Sequence, residues 1–211
     1  MRNMTNEINN LLQVKDTFDA PDKLLSILQK RPVREKLFRK MLKLFDHKLD
    51  FDWFSGYFQE AFADQKEGQV FTPPHTAELL AMLLALEKED GLTKDTCSGT
   101  GILTIAEWNR VRKNANYKPS HSFFICEELD TKAIPFLLFN LAIRGINGTV
   151  IHCDTMTREC WGAFLLKNVE NDPDGFSTIN RLSYTHETET YLKVKFANQY
   201  PEQVEIDIPT K

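Results

Sequence analysis

From residue 19 onward the apolar positions recur every three or four residues. Between Pro32 and Phe45 they fall at Val33, Leu37, Phe38, Met41, Leu44 and Phe45; between Asp50 and Ala63 they fall at Trp53, Phe54, Tyr57, Phe58, Ala61 and Phe62. That spacing lines one face of a helix. Asp19 with Pro21, and then Pro32, supply start signals, because the fixed φ of proline suits a first helical turn. Residues 1–66 therefore read as an amino-terminal helical region.

After Gly68 the period changes. The short apolar runs "LTKDTCSG", "SFFICEE" and "GTVIHCD" alternate with the helical stretches "HTAELLAMLLALEKEDG", "ILTIAEWNRVRK" and "KAIPFLLFNLAIRG". Strand–helix alternation predicts parallel strands joined by crossover helices, the first half of a doubly wound α/β sheet. "AFLLKNVE", from Ala163, makes an indifferent buried strand. Near the end, Leu192, Val194 and Phe196 alternate with Lys193 and Lys195, and Val204, Ile206 and Ile208 with Glu205 and Asp207. Two such strands, with complementary outer charges, predict a carboxy-terminal β-hairpin. Residues 67–211 read as one α/β domain.

Composition narrows the class. With 211 residues and 42% hydrophobic content, the chain supports a sizeable core. The formal net charge of −4 neither favours nor excludes nucleic acid. No apolar run approaches the about 20 residues that span a bilayer, and "MRNMTNEINN" lacks a secretory pattern. Cys97, Cys126, Cys153 and Cys160 show no C-x-x-C spacing and sit in or beside apolar runs. Reduced, buried thiols in a cytoplasmic protein are expected, with neither a disulfide framework nor a metal site. The polar face of the second helix carries Lys30, Arg31, Arg34, Lys36, Arg39, Lys40 and Lys43 against Glu35 alone. A solvated face is the favoured reading and a phosphate-contacting face the alternative.

The candidate chemistry lies at the strand ends. In "KDTCSGTGILTIAEW", Gly99 and Gly101 let backbone approach a ligand, and the helix that follows offers unpaired N–H groups. Ligands of open α/β sheets bind off the carboxyl ends of the strands, where this loop is expected. Asp95 there would repel a pyrophosphate but attract an ammonium. Glu128 ends the second strand, where a ribose diol finds its acceptor, and Asp154 ends the third, within reach of an adenine amino group. An adenosine bearing an ammonium describes S-adenosylmethionine better than a nicotinamide dinucleotide. The lack of G-x-G-x-x-G also disfavours an oxidoreductase.

The segments "GQVFTPP" (68–74), "DTCSGTG" (95–101), "CEELD" (126–130) with "FNLAIRGI" (139–146), and "HCDTM" (152–156) occur in this order. Together they resemble the amino-terminal half of the amino-type (adenine) DNA methyltransferases, specifically the modification subunits of type I restriction-modification systems. The resemblance covers roughly residues 50–156. It implies an abbreviated Rossmann-like methyltransferase fold with S-adenosyl-L-methionine as cofactor. By that resemblance Phe71 and Thr72 line the methionine end and Pro73 shapes the turn. Asp95 and the backbone through Thr96, Gly99, Thr100 and Gly101 hold the methionine moiety. Glu128 binds the ribose, Leu129 packs on the adenine, and Asp154 accepts from its amino group. The blander alternatives are a Pro-Pro turn at residues 73–74 and a helix cap at Asp154.

The family acts on an amine of a base flipped out of the duplex. It does so through an Asn or Asp, two prolines and an aromatic. The nearest candidate, "NDPDGF" (171–176), has Asp174 in place of the second proline and reads better as a turn. Two functions are therefore expected. One is a DNA adenine methyltransferase-like protein, with DNA and a restriction-modification subunit as partners. The other is a non-catalytic module of the same fold that binds cofactor or a protein partner.

Overall fold

The computed structural model describes residues 4–62, 72–84 and 91–197. Helices α1 (Met4–Leu12), α2 (Ala20–Leu28), α3 (Arg31–Leu44) and α4 (Ser55–Phe62) form the amino-terminal layer. Pro21 and Pro32 lie in the first turns of α2 and α3, as their fixed φ predicts. Helix α5 (Pro74–Leu84) precedes β1 (Leu92–Asp95), α6 (Ile102–Val111), β2 (Phe123–Glu128), α7 (Ile134–Ile143) and β3 (Gly148–Cys153). Strands β4 (Glu159–Lys167) and β5 (Thr178–Arg181), helix α8 (His186–Leu192) and the short β6 (Lys195–Phe196) complete the described chain.

The strands form one mixed sheet of order β1-β2-β3-β4-β5, with β6 beside β4. β1, β2 and β3 are parallel; β3, β4 and β5 are antiparallel to one another in turn. Only residues 154–158 separate β3 from β4. A parallel return needs a crossover of a dozen or more residues, so so short a connection forces the chain straight back. β1–β3 thus keep the parallel strand–helix alternation expected of the first half of a doubly wound sheet, and β4 and β5 return antiparallel without a reversal of order among the described strands.

Alternation sorts the sheet's two faces. Phe124, Cys126, Val150 and Leu166 join a core that also contains Trp108 of α6, all the apolar residues of α7, and Ile8, Leu24, Phe38, Phe54 and Phe58 from the helical layer. Every residue of α7 is buried, as an all-round apolar helix must be. Its Phe136 and Phe139 meet Phe54 at 4.9 and 5.2 Å between ring centroids, and Phe139 meets Phe38 at 4.7 Å. On the opposite face Ile151, Cys153, Cys160 and Ala163 pack with Leu192 and Val194.

The carboxy-terminal hairpin needs correction. Tyr191 and Leu192 end α8 rather than a strand, because Thr185 caps that helix by accepting from the Thr188 N–H, with Glu187 and Glu189 in its first turn. Lys193 then takes φ +55°, and Lys195–Phe196 pair parallel with Glu159–Cys160. The alternation of Leu192, Val194 and Phe196 still marks the residues that turn inward. Val204, Ile206 and Ile208 lie outside the described residues. The basic face of α3 is also smaller than expected. Arg34 is 2% exposed and donates to the Leu28 carbonyl at 3.0 Å, while Arg31 and Arg39 both pair with Glu35. Lys30, Lys36, Lys40 and Lys43 remain exposed.

Candidate cofactor site at the strand ends

Register decides which strand-end acids share a side. Asp95 is aligned with Cys126, and Glu128 with His152. Side chains of aligned residues in parallel strands project to the same face, and the period is two. Asp95 and Glu128 therefore fall on the face that carries α6 and α7, and Asp154 follows in the same alternation one residue past β3. The neighbouring Lys94 and Glu127 fall on the other face. There Glu127 is closed into an ion-paired group with Lys94 and with Arg158, each at 2.9 Å. Of the two consecutive glutamates in "CEELD", only the second is turned toward the glycine loop.

That loop is tied to both. Asp95 accepts from the Cys97 N–H at 3.4 Å through one oxygen and from the Thr104 hydroxyl at 3.2 Å through the other. Glu128 accepts from the Gly99 N–H at 2.6 Å and from the Asp130 N–H at 2.7 Å, one bond per oxygen. Gly99 takes φ +54° and Gly101 φ +103°. A Cβ on Gly101 would meet Leu137 Cδ1 at 3.0 Å. Glycine is thus required by both backbone conformation and close packing on α7. Thr96 is exposed, Thr100 buried, and Gly101 caps the start of α6.

Burial pushes the Asp95 carboxyl up; the Cys97 and Thr104 bonds oppose that shift, and the nearby Glu128 charge adds to it. Asp154 is shifted the other way, by the N–H groups of Met156 and Thr157 that donate to its Oδ1 at 2.7 and 3.2 Å. Those bonds close the turn into β4; no helix follows for Asp154 to cap. Leu129, 58% exposed, lies between Glu128 and the turn Asp130–Lys132, and its carbonyl is 3.2 Å from His152 Nε2. Thr72 is half-buried and Pro73 exposed at the start of α5. Phe71 lies outside the described residues.

A buried polar group behind the loop was not anticipated. Asp52, 7% exposed, accepts from the Thr100 hydroxyl, from Asn140 Nδ2 at 2.7 Å and from the Phe54 N–H at 2.9 Å. Asn140 also donates to the Thr100 carbonyl at 2.8 Å. Arg144, one helical turn on, donates to Asn140 Oδ1 and to the carbonyls of Leu49 and Phe51. Burial pushes Asp52 up, while the three donors and the Arg144 charge favour its ionised form. The signal was present in "FNLAIRGI": a polar residue and an arginine four apart in an otherwise apolar helix.

The "NDPDGF" segment lies elsewhere. β4 runs antiparallel to β3, so the turn after Lys167 sits at the amino ends of the parallel strands, away from the glycine loop. Asn168 donates to the carbonyl of Asp172 at 2.7 Å and accepts from its N–H at 3.1 Å. Phe176 packs edge-on to Phe38 at 5.1 Å. The segment is a structural turn.

Among the described residues no group of His, Cys, Asp and Glu has the clustering that holds a metal, and no helix is long and apolar enough to cross a membrane. No curated protein and no solved structure matched the chain. The profile described as N-6 DNA methylase matches residues 29–179, which takes in α3, the Asp52 loop, β1 through β4 and the three strand-end acids. The chain belongs to the N-6 DNA methylase family.

Proposed function

We propose that the chain binds S-adenosylmethionine at the carboxyl ends of β1–β3, on an abbreviated Rossmann-like methyltransferase fold. Its helical part would be residues 1–66 and its α/β part residues 67–211. The reading carries the family's DNA methyltransferase-like function to a restriction-modification setting in the cytoplasm. The observation behind it is the alternation of Asp95, Glu128 and Asp154 toward one face, beside a loop with two positive-φ glycines.

The residues suit the cofactor in kind. Asp95 supplies a negative charge for the ammonium. Each Glu128 oxygen uses one lone pair on an N–H, which leaves acceptor capacity for a ribose diol. Leu129 offers exposed apolar surface for the adenine, and Asp154, oriented by its turn, an acceptor for the amino group. Thr96 to Gly101 would meet the methionine moiety with backbone, and Phe71, Thr72 and Pro73 would flank it. When bound, the cofactor supplies a methyl group for an exocyclic adenine amine.

A second reading, a non-catalytic module that binds cofactor or a protein partner, is favoured by one observation. The 211 residues hold no Asn/Asp-Pro-Pro-aromatic sequence, and its nearest relative is a turn at the far end of the sheet. Isothermal titration of S-adenosylmethionine tests the site: saturable binding lost in Asp95→Ala supports it, and no binding to the wild type rejects it. Tritiated cofactor with mixed-sequence DNA, with and without cell extract, then separates the two readings. Label in DNA supports catalysis, and its absence in both arms leaves the module.

A further inference from the structure

We propose that Asp52 is a positioning residue through which the helical layer fixes the shape of the glycine loop. This rests on the reading that the loop receives S-adenosylmethionine.

Thr100 stands between two glycines at φ +54° and +103°. Glycine backbone samples many conformations at similar energy, so a loop of this kind is not held by its own sterics. Thr100 is instead held twice: its hydroxyl donates to Asp52 and its carbonyl accepts from Asn140. At 2% exposure its side chain is turned inward and gives a ligand nothing to touch. The clamp is therefore separate from the ligand-facing groups.

Asp52 is itself held by elements distant in sequence. Asn140 bonds the same carboxylate, and Arg144 gathers the carbonyls of Leu49 and Phe51 on either side of Asp50. The adjacent Trp53 stacks on Phe45 at 4.5 Å and lies under the Arg144 guanidinium at 5.2 Å. The segment from Leu49 to Phe54 thus joins α3 and α4 to the glycine loop through one carboxylate. In this arrangement the carboxylate only accepts, from two N–H groups and one hydroxyl. An asparagine at position 52 would have to turn its NH2 either onto Asn140 and the Phe54 N–H, which are donors, or onto Thr100, reversing that bond.

The test compares wild type with Asp52→Asn, Thr100→Val, Thr100→Ser and the Asp52→Asn/Thr100→Val double variant, each shown to be folded by circular dichroism. Amide hydrogen exchange is followed over residues 96–101, alongside titration with S-adenosylmethionine. The expected result is faster exchange confined to that segment in Asp52→Asn and Thr100→Val, and Kd raised about tenfold. Thr100→Ser, which keeps the hydroxyl, restores both. The double variant is no worse than the worse single, because both changes act on the one Asp52–Thr100 contact. Unchanged loop exchange in folded Thr100→Val overturns the proposal, and so does unchanged affinity in a protein whose wild type binds. Should wild type itself fail to bind, the cofactor reading falls, and the exchange data still decide whether Asp52 holds the loop. If Asp52→Asn does not fold, the Thr100→Val and Thr100→Ser pair decides alone.

Discussion

The loop Asp95–Gly101 and the turn Asn168–Ser177 lie at opposite ends of one sheet, and both are short, acidic and glycine-bearing. They satisfy their polar groups differently. In the turn, Asn168 bonds the backbone of Asp172 in both directions, and Asp172 bonds the N–H of Asp174. In the loop, Gly99 bonds Glu128 from β2, and Thr100 bonds Asp52 and Asn140 from two further elements. The turn also reaches outward: Asn168 donates to Asn147 Oδ1 and to the Gly145 carbonyl, Ser177 donates to the carbonyls of Ala142 and Ile146, and Asn171 accepts from the Ser120 N–H. The loop's outward bonds run in part to the carboxylates of Glu128 and Asp52, whereas the turn's run to carbonyls, amides and a backbone N–H. Like sequences thus make a corner held by neutral groups in one place and a loop held in part by acidic ones in the other.

Four outcomes would break or sharpen that contrast. The largest effect is expected at Asp95: its change to alanine weakens S-adenosylmethionine by about 10- to 150-fold, the worth of a charge-assisted contact. Titration checks this, with Asp172→Ala as the unaffected counterpart. Next is Gly145→Ala, which supports the far turn. It takes φ +66°, and a Cβ there would lie 2.3 Å from the Gly175 carbonyl. It should lose about 2–4 kcal/mol in denaturant unfolding while cofactor affinity in the folded protein stays the same.

A third outcome concerns acid. Asp95 has its folded pKa raised above the ordinary 3.8, so the native state takes up its proton first as pH falls. Its share of stability therefore increases on acidification through that window, whereas attraction for an ammonium is lost. Affinity should begin to fall at a higher pH than an unshifted aspartate would give, and titrations across pH with Asp95→Asn as the flat control read it directly. The smallest effect is Asp172→Ala itself. It loses one exposed bond to the Asp174 N–H and should shift stability by about 0.5 kcal/mol or less in thermal unfolding.

Much of the fold was legible because it is written locally. Alternating runs gave β1, β2 and β3, the proline positions gave the starts of α2 and α3, and the glycines of "CSGTG" gave the loop. The antiparallel return was harder to see. Its cause is the shortness of residues 154–158, which mattered more than the irregular pattern of β4. In α8, a threonine cap and two early glutamates outweighed a strand-like alternation over the next residues. The Asp52 group was least visible, since its members are separated by 88 residues and meet only through the tertiary fold. Alternation on aligned strands, by contrast, let the sequence choose between Glu127 and Glu128 once the register was known.

The cysteines give the loop one further property. Cys126, Cys153 and Cys160 are buried and Cys97 alone is exposed. Burial first, then the charges of Glu128, Asp95 and Glu127, push the Cys97 thiol up, which slows its reaction with alkylating reagents. A cation arriving among those carboxylates would offset their field and lower that pKa again. Cys97 is thus the one exposed thiol, and its slow alkylation is expected to quicken when a cation enters the glycine loop.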